Sequence, residues 1–477
     1  MSTSDHTPED ARQHAWRILR ANQGELGIRA AGTAYPQVWA RDAIIAGLGV
    51  AASGGAGDID ALRRSLRSLA AAQSRLGRIP NHVRRDELDG GIAADTVFAG
   101  AVDASLWYII GHDVVSRSAS GGGDLAVAWE SLQNAHRWLE YQDANECGLL
   151  EVHESMDWAD LFANRYNSLL PNVLWFGANL AMSRIAARLA HDGSAYARQA
   201  EDIRFKINQL LWVGPEVSRD TAWIKANREE WLYPTQLVDT MLITRPYYLP
   251  YMAFRDYGDR FDTLGNLLAV LFGLANDAQS NRILDYITET GMAEPWPIKA
   301  CWPPVTIGDK DWREYYRQYN LNFSDQYHNG GAWPYLGGFY VGALVQAGRV
   351  GDARQTLDSL AEMNRQSRYG GEWEFNEWFH GLSGRPMGHI LQTWSAGMFL
   401  YADTAVRDGK CPYFDQSSDI TEATARQAGT LKRPFQDPSN SYHDLGTTVP
   451  RLPAGPRVWT PGNTRCRVDT LGTPCLY

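Results

Sequence analysis

From Pro8 to about Ala402, apolar residues recur at three- and four-residue spacing with Gly or Pro at the breaks, a pattern that predicts helices almost throughout and few strands. Asp58 can cap a helix that carries Leu62, Leu66 and Leu69 on one face and is ended by Gly77. Others are predicted around Leu106, Ile109 and Ile110, over Val173 to Leu189, over Pro334 to Ala347 with Gly348 as its stop, and over Asp352 to Met363. Many pair through short Gly-containing turns. A run of about twelve amphipathic helices builds either an open solenoid or a closed ring of hairpins, and no short fixed repeat favours the solenoid.

Between the helices lie segments too polar for core and too aromatic for plain loop. They are YPQVWARDAIIAG (35–47), DTVFAGAVDASLWYI (95–109), ESMDWADLFANRYN (154–167), YPTQLVD (233–239), FRDYGDRFDTLGN (254–266), DQYHNGGAWPYLGG (325–338) and the stretch 371–402, which opens GEWEFNEWFHG. Within them Asp42, Asp103, Asp160, Tyr233, His328 and Glu377 recur at intervals of 49 to 95 residues, about the length of one or two helical hairpins. If the hairpins close into a ring, loops with that period share one rim and converge on one pocket.

Composition narrows the chemistry. Eighteen Trp and 22 Tyr supply the aromatic walls, while a net charge of −10 argues against the basic stripe that nucleic-acid binding needs. Five cysteines without metal or CxxC spacing are expected to be free thiols in a reducing compartment. The first residues lack the basic and apolar blocks of a secretion signal, and the apolar stretch after Val38 is interrupted by Arg41 and Asp42. A cytoplasmic location without a membrane partner is the expectation. At 477 residues the domain count is open, but eight of the 22 prolines lie beyond Lys410, where the periodicity stops. Residues 1–412 are therefore expected to form one helical catalytic unit, and 413–477 an irregular, poorly ordered tail.

The acidic segments invite a metal reading, yet His153, Glu154, Asp157 and Asp160 lack the HExxH or EF-hand spacing. There is no GxSxG elbow, and GGAGD and GGGD are not phosphate loops. Paired carboxylates among aromatic rings remain. Aromatic walls bind the apolar faces of sugar rings and desolvate neighbouring acids, which raises their proton affinity and suits them to general acid or base work. Hydrolysis of a glycosidic bond with inversion needs one carboxyl to protonate the leaving oxygen and another, about 6.5 to 9.5 Å away, to activate water. The candidates are the acids of DWAD, Asp157 and Asp160, and those of EFNEWF, Glu374 and Glu377.

FDTLGN (261–266), YHNGGAWP (327–334), Glu377 with the glycine-punctuated turn after it, and QTWSAG (392–397) stand in the order found in neutral/alkaline invertases, and the chain resembles that glycoside hydrolase family. VWARD (38–42), VDASLW (102–107) and DWADLF are similar to the glucosidase domain of glycogen-debranching enzymes and, more distantly, to glucoamylase-like and mannosylglycerate-hydrolase-like proteins. The resemblance covers roughly residues 35–402. It implies an all-α (α/α)6 barrel, a six-hairpin toroid, acting by inversion on a small sugar with no metal or organic cofactor. Carried over by position, Asp160 matches the general acid and Glu377 the general base, with Asp157 as the other candidate acid. Arg41, Asp42 and Asp103 match sugar-holding residues, and Gln326, His328, Asn329 and Trp333 fall in the pocket-lining loop. Trp39, Trp107 and Trp378 complete the expected substrate contacts. Sucrose heads the substrates, followed by an α-1,6-glucan end and a glucosylated small solute. A catalytically silent sugar-binding scaffold is the alternative from another class.

Overall fold

The computed structural model describes residues 8–414 except 33, 55, 89, 96–100, 119–123 and 243–244. Of the expected tail, only Tyr413 and Phe414 fall within the described residues. The helices are α1 (Pro8–Ala21), α2 (Ala40–Ser53), α3 (Ala56–Ala71), α4 (Asp103–Arg117), α5 (Leu125–Glu140), α6 (Leu169–Arg188) and α7 (Ser194–Leu210), then α8 (Thr221–Asn227), α9 (Glu229–Met241), α10 (Thr263–Leu271), α11 (Asp277–Thr290), α12 (Pro334–Gln346), α13 (Val350–Arg365) and α14 (Thr393–Asp408). None of the described helices is long and apolar enough to cross a membrane.

Six of them form a closed inner ring. α2 packs on α4, α4 on α6, α6 on α10, α10 on α12, α12 on α14, and α14 returns to α2. The two populations differ in sequence for a physical reason. Ring helices are buried on every side, so α2 from Ala40 to Val50 and α12 from Pro334 to Val345 have no exposed face, whereas α1, α3, α5 and α13 are amphipathic outer helices. The ring closes where α2 and α14 cross at Gly49 and Gly397, whose backbones approach so closely that a Cβ on Gly49 would collide with the Gly397 carbonyl. Phe414 is buried against Phe272 and Tyr401, and the Tyr413 hydroxyl donates to the Ala51 carbonyl at 2.8 Å.

Outer helices return the chain between successive ring helices, so the ring helices run parallel and their N-termini share one rim. A collar of very short strands sits there. Val38–Trp39, Asn167–Ser168 and Phe261–Asp262 lead directly into α2, α6 and α10 and pair antiparallel with His82–Arg85, Tyr251–Ala253 and Cys301–Trp302. Strands of two residues show no alternation, which is why the hydrophobic pattern did not reveal them. Three other expectations are corrected. α3 ends at Ala71, short of Gly77, and Asp58 lies in its first turn rather than capping it. The segment YPTQLVD is no rim loop: it lies inside α9, which accommodates Pro234 and leaves Tyr233 57% exposed on an insertion outside the ring.

Candidate active site

The collar and the N-termini of the ring helices present backbone N–H groups and positive dipole ends to one rim, an environment that favours negative charge. Arg41 and Asp42 sit in the first turn of α2, and Asp103 opens α4. Arg41 Nη1 donates to Asp103 Oδ2 at 2.8 Å, and its Nε lies 3.8 Å from Asp42 Oδ2. All three are buried. Burial raises the Asp42 carboxyl to about 6 although Arg41 opposes the shift.

Asp160 comes from the loop joining α5 to α6 and is partly exposed. Burial is the main cause that raises it to about 6, Arg41 pulls it down, and Asp103 and Asp42 push it further up. Glu377 comes from the far side of the chain, just before the hairpin in which Trp378–Phe379 pairs with Pro386–Met387. Its backbone N–H donates to the His389 carbonyl at 2.8 Å, and its Oε2 accepts the His389 N–H at 2.9 Å. Burial raises it to about 7 against that hydrogen bond, with Asp42 and Asp160 adding repulsion. Tyr35 and Tyr327 each feel the charges of both Asp160 and Glu377, so the fold brings the two acids into one neighbourhood despite their lying 217 positions apart in the sequence.

The neighbouring acids of each motif behave differently. Asp157 accepts the Ala159 N–H at 2.9 Å and is raised to about 8 by burial and then by Asp103 and Asp262, whereas the charge of Asp160 is felt at Glu377, Tyr35 and Tyr327. Glu374 is spent on its own loop, where its oxygens accept from the Ser367 hydroxyl at 3.0 Å and from the Arg368 and Tyr369 N–H groups at 2.5 and 3.0 Å. Trp373 and Phe375, on either side of it, have φ of 59° and 45°, left-handed values that cost about 1–3 kcal/mol each and are held by the surrounding loop.

Aromatic rings pack against one another around these acids. Trp39 is partly exposed, packs on His82 at 4.4 Å and touches Tyr35 edge-on at 6.4 Å. Trp378 meets Tyr327 edge-on at 5.9 Å, and the Tyr35 ring stands edge-on to His389 at 5.0 Å. His328 stacks on Trp333 at 5.7 Å, and burial drives its imidazole well below the ordinary value, so it is neutral. Its Nδ1 is buried without a hydrogen-bond partner among the described residues. Trp333 is buried and donates from its indole N–H to the Tyr327 carbonyl at 3.0 Å. Gln326 is partly exposed beside Tyr327.

Three expected substrate contacts are fully buried with their partners inside the protein. Trp107 is fully buried in the ring, one turn below Asp103, against Phe339. Asp103 is fully buried and serves as the anchor of Arg41. Asn329 is fully buried with its amide committed to Val305 N–H and C=O and to the Asn322 carbonyl, so it braces the loop. Conversely, Tyr35, Tyr327 and His389 were missed, although the first two stand inside the quoted aromatic segments and Tyr327 lies between two residues that were named. Asp262, at the start of α10, was missed as well; burial raises it to about 7. Among the described residues no group of three or more His, Cys, Asp or Glu is disposed to hold a metal ion.

Residues 227–409 match the family described as alkaline and neutral invertase. Cytosolic invertase 1 of Oryza sativa subsp. japonica is 31% identical over 233 residues, which is 48% of this chain and 40% of that protein. Probable alkaline/neutral invertase D of Arabidopsis thaliana is 32% identical over 233 residues, 48% of this chain and 42% of its own. The chain thus spans about two fifths of the length of these relatives. Among solved structures, the mannosylglycerate hydrolase of Thermus thermophilus superposes with a TM-score of 0.57 at 13% identity, covering 82% of this chain and 99% of that one. A bacterial glucoamylase gives 0.56 at 14% identity over 84% of this chain and 56% of its own. The chain has the closed six-hairpin helical fold of those glycosidases and, over residues 227–409, resembles the alkaline and neutral invertases.

Proposed function

We propose that the protein is an inverting glycoside hydrolase that releases a sugar from the end of a short α-glucoside, with sucrose as its first substrate. The observation that supports this reading is the electrostatic coupling of Asp160 and Glu377 among aromatic rings: the charge of Asp160 raises the proton affinity of Glu377, and both acids are felt at the same two tyrosines. Asp160 gives its proton to the glycosidic oxygen as the bond from the anomeric carbon to that oxygen breaks, and the bonding pair leaves with the oxygen. Water attacks the anomeric carbon from the opposite ring face and passes a proton to Glu377, so one water is consumed and two sugars, or a sugar and an alcohol, are formed. Arg41 and Asp42 face the ring hydroxyls, and Trp39 and Trp378 cover its apolar faces. The family match over residues 227–409 supports sucrose over the alternatives. Cysteine use supports a reducing compartment.

Purified protein is to be incubated with sucrose, isomaltose, trehalose, glucosylglycerate and maltodextrins, and free sugar and its fresh anomer measured. Glu377→Gln and Asp160→Asn are each expected to lower turnover about 10²- to 10⁴-fold while sugar binding persists. Retention of most activity by both variants, or sugar binding without hydrolysis by the wild type, overturns the assignment; the second result makes the protein a sugar-binding scaffold.

A further inference from the structure

We propose that Tyr316 is a positioning residue for Asp160, acting from a strap of chain that clamps the peptide immediately after the acid. The inference rests on the glycosidase reading and names what sets the geometry of its acid.

Among the described residues no side chain hydrogen-bonds to the Asp160 carboxylate, so its place is decided by where the backbone carries it. That backbone is held from the segment 309–326, which includes the 3₁₀ turn Glu314–Asn320. The Ala163 N–H donates to the Tyr316 hydroxyl at 3.0 Å, and the Phe162 ring lies parallel to Tyr316, with centroids 5.3 Å apart and planes 4° from each other. Asn322 Nδ2 donates to the Leu161 carbonyl at 3.0 Å. Each of the three residues that follow Asp160 is therefore gripped by the strap. Upstream, Glu154 accepts from Arg313 Nε and Nη2 at 2.9 and 2.7 Å and from the Tyr315 hydroxyl at 2.8 Å. The strap thus spans the acid loop from both ends, and Tyr316, fully buried, is the point where ring stacking and the hydrogen bond coincide.

The clamp also reaches the opposite wall. Asn322 Oδ1 accepts the His328 N–H at 3.0 Å, and its carbonyl accepts from Asn329 Nδ2 at 2.9 Å. These bonds fix the loop that carries Tyr327, the ring that feels both acids. One element therefore sets the acid and the wall it faces in a common frame. A buried N–H left without an acceptor forces its loop to shift toward water, and a small displacement of a proton donor relative to the leaving oxygen is costly in rate.

The test separates a positioning role from a merely structural one by leaving group. Tyr316→Phe keeps the stacked ring and removes only the acceptor for the Ala163 N–H. Its kcat on sucrose, or on whichever glycoside of the substrate screen is turned over, is expected to fall about 10- to 100-fold. Its kcat on α-glucosyl fluoride, which departs as fluoride without being protonated, is expected to match the wild type, as it should for Asp160→Asn. Glu377→Gln is expected to lose both substrates. Phe162→Leu, which removes the ring stacked on Tyr316, serves as the second variant if Tyr316→Phe does not fold, and circular dichroism establishes folding for each. Wild-type activity on both substrates with a variant that is unimpaired on the glycoside, or impaired equally on glycoside and fluoride, overturns the positioning role. Failure of the wild type to hydrolyse any glycoside overturns the glycosidase reading itself, a separate outcome.

Discussion

Gly388 lies against Glu377 with no room for a side chain: a Cβ there would sit 2.5 Å from Glu377 Oε2 and 2.6 Å from its Cβ. The φ of Gly388 is 68°, so the position also needs a residue free of the left-handed penalty. Together with the His389 N–H that donates to Oε2, the bare glycine makes the cradle in which this carboxylate is aimed.

Gly388→Ala is therefore expected to turn Glu377 out of that cradle while the distant ring helices keep their packing. A loss of kcat of about 10²-fold is anticipated from a misplacement on the order of 1 Å. The measurement is steady-state kinetics on the hydrolysed glycoside beside a thermal melt. A variant with full kcat would mean that the hairpin does not orient the base.

The pH profile follows from the two acids. Burial raises Asp160 to about 6 and Glu377 to about 7, and the charge of Asp160 adds to the repulsion on Glu377. Turnover needs the pair to hold one proton, on Asp160, with Glu377 ionised. A glycosidic oxygen accepting from Asp160, and a water donating to Glu377, place that proton on the acid once substrate is bound. We expect kcat/KM to be bell-shaped with its maximum between about pH 6 and 7 and to fall about tenfold per pH unit beyond either limb. Asp42 repels both acids, so Asp42→Asn should shift both limbs to lower pH. A profile flat from acid to alkali, or limbs that move upward in that variant, contradicts the assignment.

How legible this was in the sequence depended on what each signal encodes. The 3.6-residue rhythm read out the helices because burial repeats along each of them, and α6 and α13 start and stop within about four residues of the expected spans. Ring closure was not encoded locally: it rests on contacts such as Gly49 with Gly397, and only the spacing of the acidic segments hinted at it. Glu377 could be singled out from Glu374 by the turn after it, and the loop hydrogen bonds of Glu374 give the physical reason for the difference. Trp107 and Asn329 misled because residue type says nothing about depth; a tryptophan one helical turn beyond a rim residue belongs to the core. Tyr35 and Tyr327 went unnamed because a neutral phenol carries no motif, and only the fold reveals that both face the same two acids.

Asp157 provides a test of which acid does what, through stability as well as rate. Its carboxyl is raised from 3.8 to about 8, by burial first and then by Asp103 and Asp262. Between those values the folded protein keeps a proton that the unfolded chain has released, so raising the pH favours unfolding. The stability tied to this group is fully present below about pH 3.8, is lost progressively as the pH climbs to about 8, and changes no further above it. Asp157→Asn keeps an oxygen for the Ala159 N–H but has no proton to lose. The variant should melt close to the wild type at pH 4 and higher than it at pH 8, by roughly 1 to 3 °C for each kcal/mol recovered in a chain of this size. Its turnover of the natural glycoside should persist, because Asp160 supplies the proton. Loss of that turnover with α-glucosyl fluoride hydrolysis intact would transfer the role of acid to Asp157, and a melting difference independent of pH would mean that its carboxyl is ionised in the folded protein.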